Sequence, residues 1–210
     1  MKVLIATGWE YPDPLGKNTE IIDLEDSTFS CTKVQPFPDK LYGATGGLVN
    51  GQPFLCGGGY SKNPGYGYFK DCYKLENSGS WTKDDTAALN TARGFVYGSV
   101  VLQNNLFISG GANGNRLNTI EMLSPKTVSE TLSVTLPEGI NHHCQVSFSS
   151  NQFMVIGGFG GSYRAETYFI DVETNQLTNG PSLKTARRGH GCGELEVDGK
   201  SYIIISGGSN

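Results

Sequence analysis

Charge is scarce in this chain and nowhere concentrated: 16 Lys and Arg and 20 Asp and Glu among 210 residues leave a formal net charge of −4. Without a basic excess there is no electrostatic footprint for nucleic acid or an anionic membrane surface. Long apolar runs are also missing, and nothing approaches the roughly 20 residues of a membrane-inserted helix. The opening Met1-Lys2-Val3-Leu4-Ile5-Ala6 holds a shorter apolar segment than the roughly 7 to 15 residues of a signal-peptide core. No Asn-x-Ser/Thr acceptor occurs, so nothing positive marks a secreted surface, and the compartment stays open. A sustained helical apolar period is absent too, which argues against a helical bundle.

What the chain does have is glycine, 29 residues of it, with 9 Pro and many Val, Ile, Tyr, Phe and Thr, the composition of an all-β protein with many turns. Five short apolar runs each end in a pair of small residues: Thr7-Gly8, Gly57-Gly58, Gly110-Gly111, Gly157-Gly158 and Gly207-Gly208. The first members of successive pairs lie 50, 53, 47 and 50 residues apart. A unit of this length, built of short strands with a glycine pair closing a buried one, is the signature of a β-propeller blade. The whole array counts as one domain, because such a fold grows by adding repeats. The repeats run approximately over 1–52, 53–105, 106–152 and 153–201, with a partial one over 202–210.

Each period holds four strands, a to d from the axis outward. The glycine pair ends strand b, and a loop rich in Gly, Pro and Asn follows, at 9–18, 59–71, 112–118 and 159–165. Strand c is expected at 19–24, 72–76, 119–123 and 167–172, where apolar and polar residues partly alternate. Strand d follows near Phe29, Trp81, Leu132 and Leu177, and strand a at 43–49, 94–102, 142–148 and 189–197.

On these residues the chain resembles the kelch-repeat family, whose pattern is a glycine pair, a Tyr-containing strand, a Trp, then an Arg before a Gly-rich inner strand. Tyr73 holds the tyrosine position, with Ile22, Met122 and Ile170 in the other repeats, and Trp81 keeps the tryptophan, with Phe29 and Leu177 as substitutes. Leu89-Asn90-Thr91-Ala92-Arg93 and Leu183-Lys184-Thr185-Ala186-Arg187 recur two periods apart. The resemblance implies an all-β, kelch-type propeller of four-stranded antiparallel blades. Opening and closing on a strand b, the chain holds three uninterrupted blades and two partial ones; a closed ring of four with Ser201 to Gly208 displaced, an open arc and a piece of a longer protein all fit, and a piece of a longer, six-bladed propeller is favoured because an open arc leaves strand edges exposed.

Chemistry is sparse. Gly157-Gly158-Phe159-Gly160-Gly161 precedes a strand and lacks the phosphate-cradle spacing. His142-His143-Cys144 and His190-Gly191-Cys192 share a His-x-Cys spacing, but at equivalent places in successive inner strands, which marks repeated packing positions over a metal site. Copper-radical oxidases within the resemblance need a Tyr-Cys pair and further outlying His, whereas all 3 His here occupy repeat positions. Asp84-Asp85 is expected in a solvated turn. No cofactor or metal is implied. Cys56 and Cys72 flank a loop, and antiparallel pairing would set them opposite each other; Cys31, Cys144 and Cys192 show no evident partner, so the expectation is a reduced chain with buried thiols.

By family likeness, the face carrying the b-to-c loops and the loops before strand a binds a protein or peptide. It places Trp9, Tyr60 and Phe159 in an aromatic rim, with cationic points from Arg93, Arg187 or Arg188 and with Arg116, Tyr163 and Arg164 on neighbouring loops. Aromatic and Arg side chains on loops are common interface anchors. The competing reading has the aromatics covering a neighbouring blade and the Arg after Ala stacked between blades. The function expected is thus a non-catalytic interaction scaffold without nucleic-acid or membrane partners; the alternative is a galactose-oxidase-like or other propeller enzyme acting on a sugar or small molecule. Polar and titratable groups converging on the axis would favour the enzyme, an aromatic and Arg rim without them the binder.

Overall fold

A computed structural model describes residues 2–8, 16–25, 27, 31–61, 66–124 and 127–210, among which no helix occurs. The first blade sheet contains β1 (Lys2–Gly8), β2 (Gly16–Asp23) and β3 (Cys31–Lys33). The second contains β4 (Thr45–Val49) and β5 (Gln52–Cys56), then β8 (Asp71–Leu75) and β9 (Trp81–Ala88), with a small hairpin of β6 (Gly59–Ser61) and β7 (Tyr66–Tyr68) inserted. The third is β10 (Val100–Leu102), β11 (Asn105–Ser109), β12 (Thr119–Leu123) and β13 (Glu130–Thr135). The fourth is β14 (Cys144–Ser147), β15 (Gln152–Phe159), β16 (Tyr163–Asp171) and β17 (Gln176–Asn179), followed by a hairpin of β18 (Gly191–Val197) and β19 (Lys200–Ser206). Every pairing is between neighbours and antiparallel, as in a β-propeller.

Strand order therefore follows the expected a-b-c-d scheme, while two details differ. In the second and fourth blades, strands continue beyond the glycine pair: β15 runs through Gly157-Gly158 to Phe159, which pairs with Tyr163, and β6–β7 occupies part of the loop expected at 59–71. Asp84-Asp85 lies within β9 and not in a turn, with Asp84 accepting from the Thr86 amide at 2.9 Å. Trp9 and Phe29 fall outside the described residues.

The small-residue pairs have a common conformation. Their first members are all left-handed, with φ of 61 at Thr7, 67 at Gly57, 60 at Gly110, 57 at Gly157 and 72 at Gly207. This bend aims the amide of the second member at the loop that enters the next blade. Gly8 N–H donates to Leu41 O at 3.2 Å, Gly58 to Arg93 O at 2.8 Å, Gly111 to Ile140 O at 2.8 Å and Gly158 to Arg187 O at 2.9 Å. The approach is close enough that a Cβ on Gly110 would stand 2.5 Å from Ile140 O.

The four entry residues, Leu41, Arg93, Ile140 and Arg187, thus define one repeat position. A second is the strand-c residue paired with the residue two before each glycine pair: Leu55 pairs with Tyr73, Ile108 with Glu121 and Val155 with Tyr168. Ile5, two before Thr7, pairs with Glu20. The tyrosine position is therefore held by Glu20, Tyr73, Glu121 and Tyr168, not by Ile22, Met122 and Ile170; apolar alternation alone does not reveal a shift of one or two residues. Side chains at the two positions match blade by blade. Leu41 and Tyr73 share one apolar cluster, Ile140 and Tyr168 another, and between these blades Arg93 pairs with Glu121.

Arg93 and Glu121 are both fully buried. Arg93 Nη1 donates to Gly110 O at 2.7 Å and Nη2 to Thr119 Oγ1 at 3.0 Å, while Glu121 accepts from the Asn90 and Thr91 amides and the Ser129 hydroxyl. Burial of this pair is tolerable because nearly every polar atom finds a partner. Trp81, on β9, reaches back to the preceding blade through an indole N–H donated to Thr19 Oγ1 at 3.1 Å.

The cysteines depart from the reduced expectation. Cys56–Cys72 joins β5 to β8 across their pairing, and Cys144–Cys192 joins β14 to β18 across two neighbouring sheets; Cys31 is free and exposed. The second bridge results from a one-residue offset. Cys144 pairs with Ile156, just before Gly157, and its counterpart beside Ser206, just before Gly207, is Gly191. Cys192 thus stands one residue further along its strand than Cys144 along its own, on the opposite strand face, and the two sulfurs point at each other.

Two outcomes are expected. Gly110→Val lowers stability by about 3 kcal/mol, whereas Gly193→Ala, where a Cβ meets nothing within 4 Å, is near neutral; urea denaturation separates them. Arg93→Leu alone leaves Glu121 buried without its partner and costs about 3 to 5 kcal/mol, while the double change Arg93→Leu with Glu121→Tyr, copying the adjacent blades, recovers most of it.

Candidate functional site

Immediately after each entry residue, the chain makes a second repeated contact. Tyr42 bridges Gly59, Gly94 bridges Ala112, Asn141 bridges Phe159 and Arg188 bridges Ser209, so the residue following each Gly-Gly pair is held beside the loop that enters its own sheet. The next residue is again left-handed: Gly43, Phe95, His142 and Gly189, with φ between 55 and 63. These residues link around the axis, since Val96 N–H donates to Gly43 O, His142 to Phe95 O and Gly189 to His142 O. Phe95 and His142 carry side chains where the other two are glycine, and their rings meet.

The His142 ring stacks on Phe95, centroids 5.1 Å apart, and on Tyr97 at 4.7 Å; Phe95 also touches Tyr42 and Tyr68. Burial first, and the Arg188 charge second, hold the His142 imidazole down to about 4. Burial likewise holds the enclosed His143 at about 4, with Nε2 against Ser109 Oγ at 3.1 Å. Both rings are neutral near neutral pH.

Beyond His142 the aromatic surface meets cations. The short turn between β15 and β16 presents Phe159 and Tyr163 as a pair, centroids 6.0 Å apart. Arg188, from the loop entering β18, lies 4.9 Å from the Phe159 centroid and 5.2 Å from that of Tyr163. Arg116, from the blade-three loop, lies 5.5 Å from Phe159 on its own approach. Among the described residues neither Arg116 nor Arg188 makes an ion pair or side-chain hydrogen bond. Each guanidinium keeps donors for an external acceptor while resting on an aromatic face.

The predicted rim is thus assembled in part. Arg116, Phe159, Tyr163 and Arg188 come together from three successive elements. Arg164 is adjacent but tied to Glu138. Tyr60 folds onto its own hairpin, its ring 4.6 Å from Phe69. Arg93 is not a surface cation: the inter-blade pair with Glu121 encloses it, as the competing reading had it. Phe95, Tyr97 and His142 were missed as site residues. Their signal was present as aromatic and His residues at equivalent places just before strand a, but only the left-handed backbone turns those rings toward one another.

The central cavity has a volume of 490 Å³ and is lined by all four blades and the terminal hairpin, chiefly through Gly, Ala, Thr, Ser and Val with Tyr97, Gln145 and the Cys144–Cys192 cystine. No group of three or more His, Cys, Asp or Glu suited to a metal occurs among the described residues.

No family model matches the chain, and no curated protein matches it. A solved structure of YjhT is similar, with a TM-score of 0.79 and 15% identity over 92% of this chain and 67% of that one. At this identity the likeness shows the β-propeller fold.

The buried imidazoles set a pH dependence. In the unfolded chain His143 takes up a proton near 6.5, in the folded chain not until about 4, so the unfolded state binds more protons between these values. The His143 contribution to stability is full above about pH 6.5 and falls by about 3 kcal/mol as pH drops to about 4. Thermal melts at pH 7 and 4.5 check this, and His143→Gln should flatten the decline.

Proposed function

We propose that the chain is a kelch-type, non-catalytic interaction scaffold that binds a protein or peptide partner through the face carrying Arg116, Phe159, Tyr163 and Arg188. The observation that carries this reading is the pair of arginines resting on one aromatic cluster with their outward donors unpaired. A carboxylate of the partner fits between the two guanidinium groups, and an apolar or aromatic side chain beside it covers Phe159 and the neighbouring His142–Tyr97 stack. A charge-assisted contact next to a rigid aromatic is the composition of an interface hot spot. The reading is further supported by the small and uncharged residues lining the central cavity, because the alternative enzyme requires titratable groups converging there. The partner segment is expected to be acidic and extended.

Selection of random peptides on the immobilised chain tests this. Acidic sequences should be enriched, and Arg188→Ala or Phe159→Ala should each weaken their binding by about 2 kcal/mol with unchanged melting. Equal retention of the selected peptides by both variants would place the binding surface elsewhere.

A further inference from the structure

Asn-Gly occurs three times in the chain, at 50–51, 113–114 and 179–180. In such a pair the Asn side chain is open to attack by the backbone, because a following residue without Cβ leaves its amide nitrogen unshielded. Two of the three are held. Asn50-Gly51 forms the tight turn between β4 and β5, with φ of 50 and 77, and the Val49–Gln52 pair closes it. Swinging the Gly51 nitrogen onto the Asn50 side chain would break that pair. Asn179 pairs with Tyr168 at the end of β17, and the Gly180 amide donates to Thr167 O at 2.8 Å. Asn113-Gly114 is different. Both residues are exposed, and a Cβ on Gly114 would meet nothing within 4 Å. Among the described residues neither the Asn113 side chain nor the Gly114 amide has a hydrogen-bond partner. The ends of this bend are pinned: Ala112 bridges both Gly94 and Arg116, and Leu117 N–H donates to Gly111 O at 2.8 Å. The exposed tip is thus free to turn while Arg116 is held at its base.

We propose that Asn113-Gly114 is a self-modification site, at which loss of the side-chain amide places a carboxylate beside Arg116 and weakens capture of an acidic partner. The Gly114 amide nitrogen bonds to Asn113 Cγ, the Cγ–Nδ2 bond breaks, and ammonia leaves with the proton of the attacking amide, which closes a cyclic imide. Water then opens the ring at either carbonyl. Addition at Cγ restores the backbone and leaves Asp; addition at the main-chain carbonyl leaves isoaspartate, whose backbone runs through Cγ. Water enters and ammonia departs, with no change of oxidation state. Either product carries a negative charge at pH 7, in the bend that the Ala112–Arg116 bridge closes. The Arg116 guanidinium lies 5.5 Å from the Phe159 centroid and is in no ion pair among the described residues. A carboxylate in its own bend competes with that of the partner for the same donors. Isoaspartate also lengthens the backbone between Ala112 and Arg116, which disturbs their bridge. The chemistry needs no partner; its effect on binding rests on the reading of the Arg116–Arg188 face.

The test ages the full chain in mildly alkaline buffer at body temperature, then reduces, alkylates and digests it with trypsin for mass spectrometry. Fragment 94–116 should gain about 1 Da and split into two new species, with the gain on Asn113. Fragments 41–62 and 165–184, which carry the other two Asn-Gly pairs, should change far more slowly. Asn113→Gln, whose longer side chain closes a ring far less readily, should stay unmodified. Acidic peptides selected on fresh chain should bind the aged chain and Asn113→Asp about fivefold more weakly, and Asn113→Gln as tightly as the parent. No gain on Asn113, or an equal gain on Asn50 and Asn179, would overturn the site. Undiminished capture by Asn113→Asp, with capture by Arg188→Ala impaired, would overturn its effect on the face. A gain on Asn113 with undiminished capture by Arg188→Ala would overturn the face reading, and with it the effect on binding, while establishing the modification.

Discussion

One hydrogen bond organises this molecule: the amide of the second residue in each of the first four small pairs, donated to the carbonyl of the residue entering the next sheet. The bond forms only because the residue before that amide is left-handed, which turns the chain out of the direction of strand b and toward the neighbouring loop. Glycine adopts that conformation without a Cβ penalty and leaves room for the carbonyl, which Gly110 shows most clearly. Thr7 reaches the same φ with a side chain, so the geometry belongs to the repeat and glycine is its easiest occupant. Because the link passes from each sheet to the entrance of the next, spacing of the pairs becomes spacing of the blades.

Onto this backbone arrangement the chain fits two kinds of side-chain match. Leu with Tyr and Ile with Tyr associate through apolar area, whereas Arg93 with Glu121 requires a complete set of hydrogen bonds before burial of either charge is tolerable. That set comes from residues well separated in sequence: Asn90 and Thr91 before the third blade, Gly110 and Thr119 within it, and Ser129 at its outer edge. An ionic match therefore makes larger demands on register than an apolar one. The recurrent Arg-bearing segment at Arg187 keeps the backbone part of this arrangement, with Nη1 donating to Gly207 O at 2.9 Å.

The candidate binding face depends on the same backbone. The residue after each Gly-Gly pair is held against the loop that enters its own sheet, and that contact sets Phe159 beside Asn141 and Arg188 beside Ser209. Variation between repeats is then confined to what each loop carries. In the fourth blade the strands extend past the glycines, and the short turn stiffens Phe159 and Tyr163, while Arg116 and Arg188 arrive from the flanking elements. An aromatic held by its own hairpin loses little freedom on binding, which favours it as an anchor.

Architecture was legible in the sequence because it is periodic. The glycine pairs, the strand order and the third-blade strand c at 119–123 all follow from local apolar runs and turn residues, each of which needs only its near neighbours. The four residues of the face were legible as candidates as well, since Phe159 and Tyr163 sit in a glycine-rich turn, Arg116 on a loop and Arg188 before an inner strand, although their meeting was not. The rest was decided by tertiary structure. Arg93 and Arg187 end equivalent Leu-x-Thr-Ala-Arg segments before inner strands, and it is Glu121 on the neighbouring strand that makes Arg93 a buried clamp while Arg187 stays partly exposed. The His-x-Cys segments look equivalent when aligned by residue type, yet the strands pair one residue out of step, which turns Cys144 and Cys192 toward each other. A shift of one residue reverses the face on which a strand side chain lies, and spacing along the chain carries no record of it.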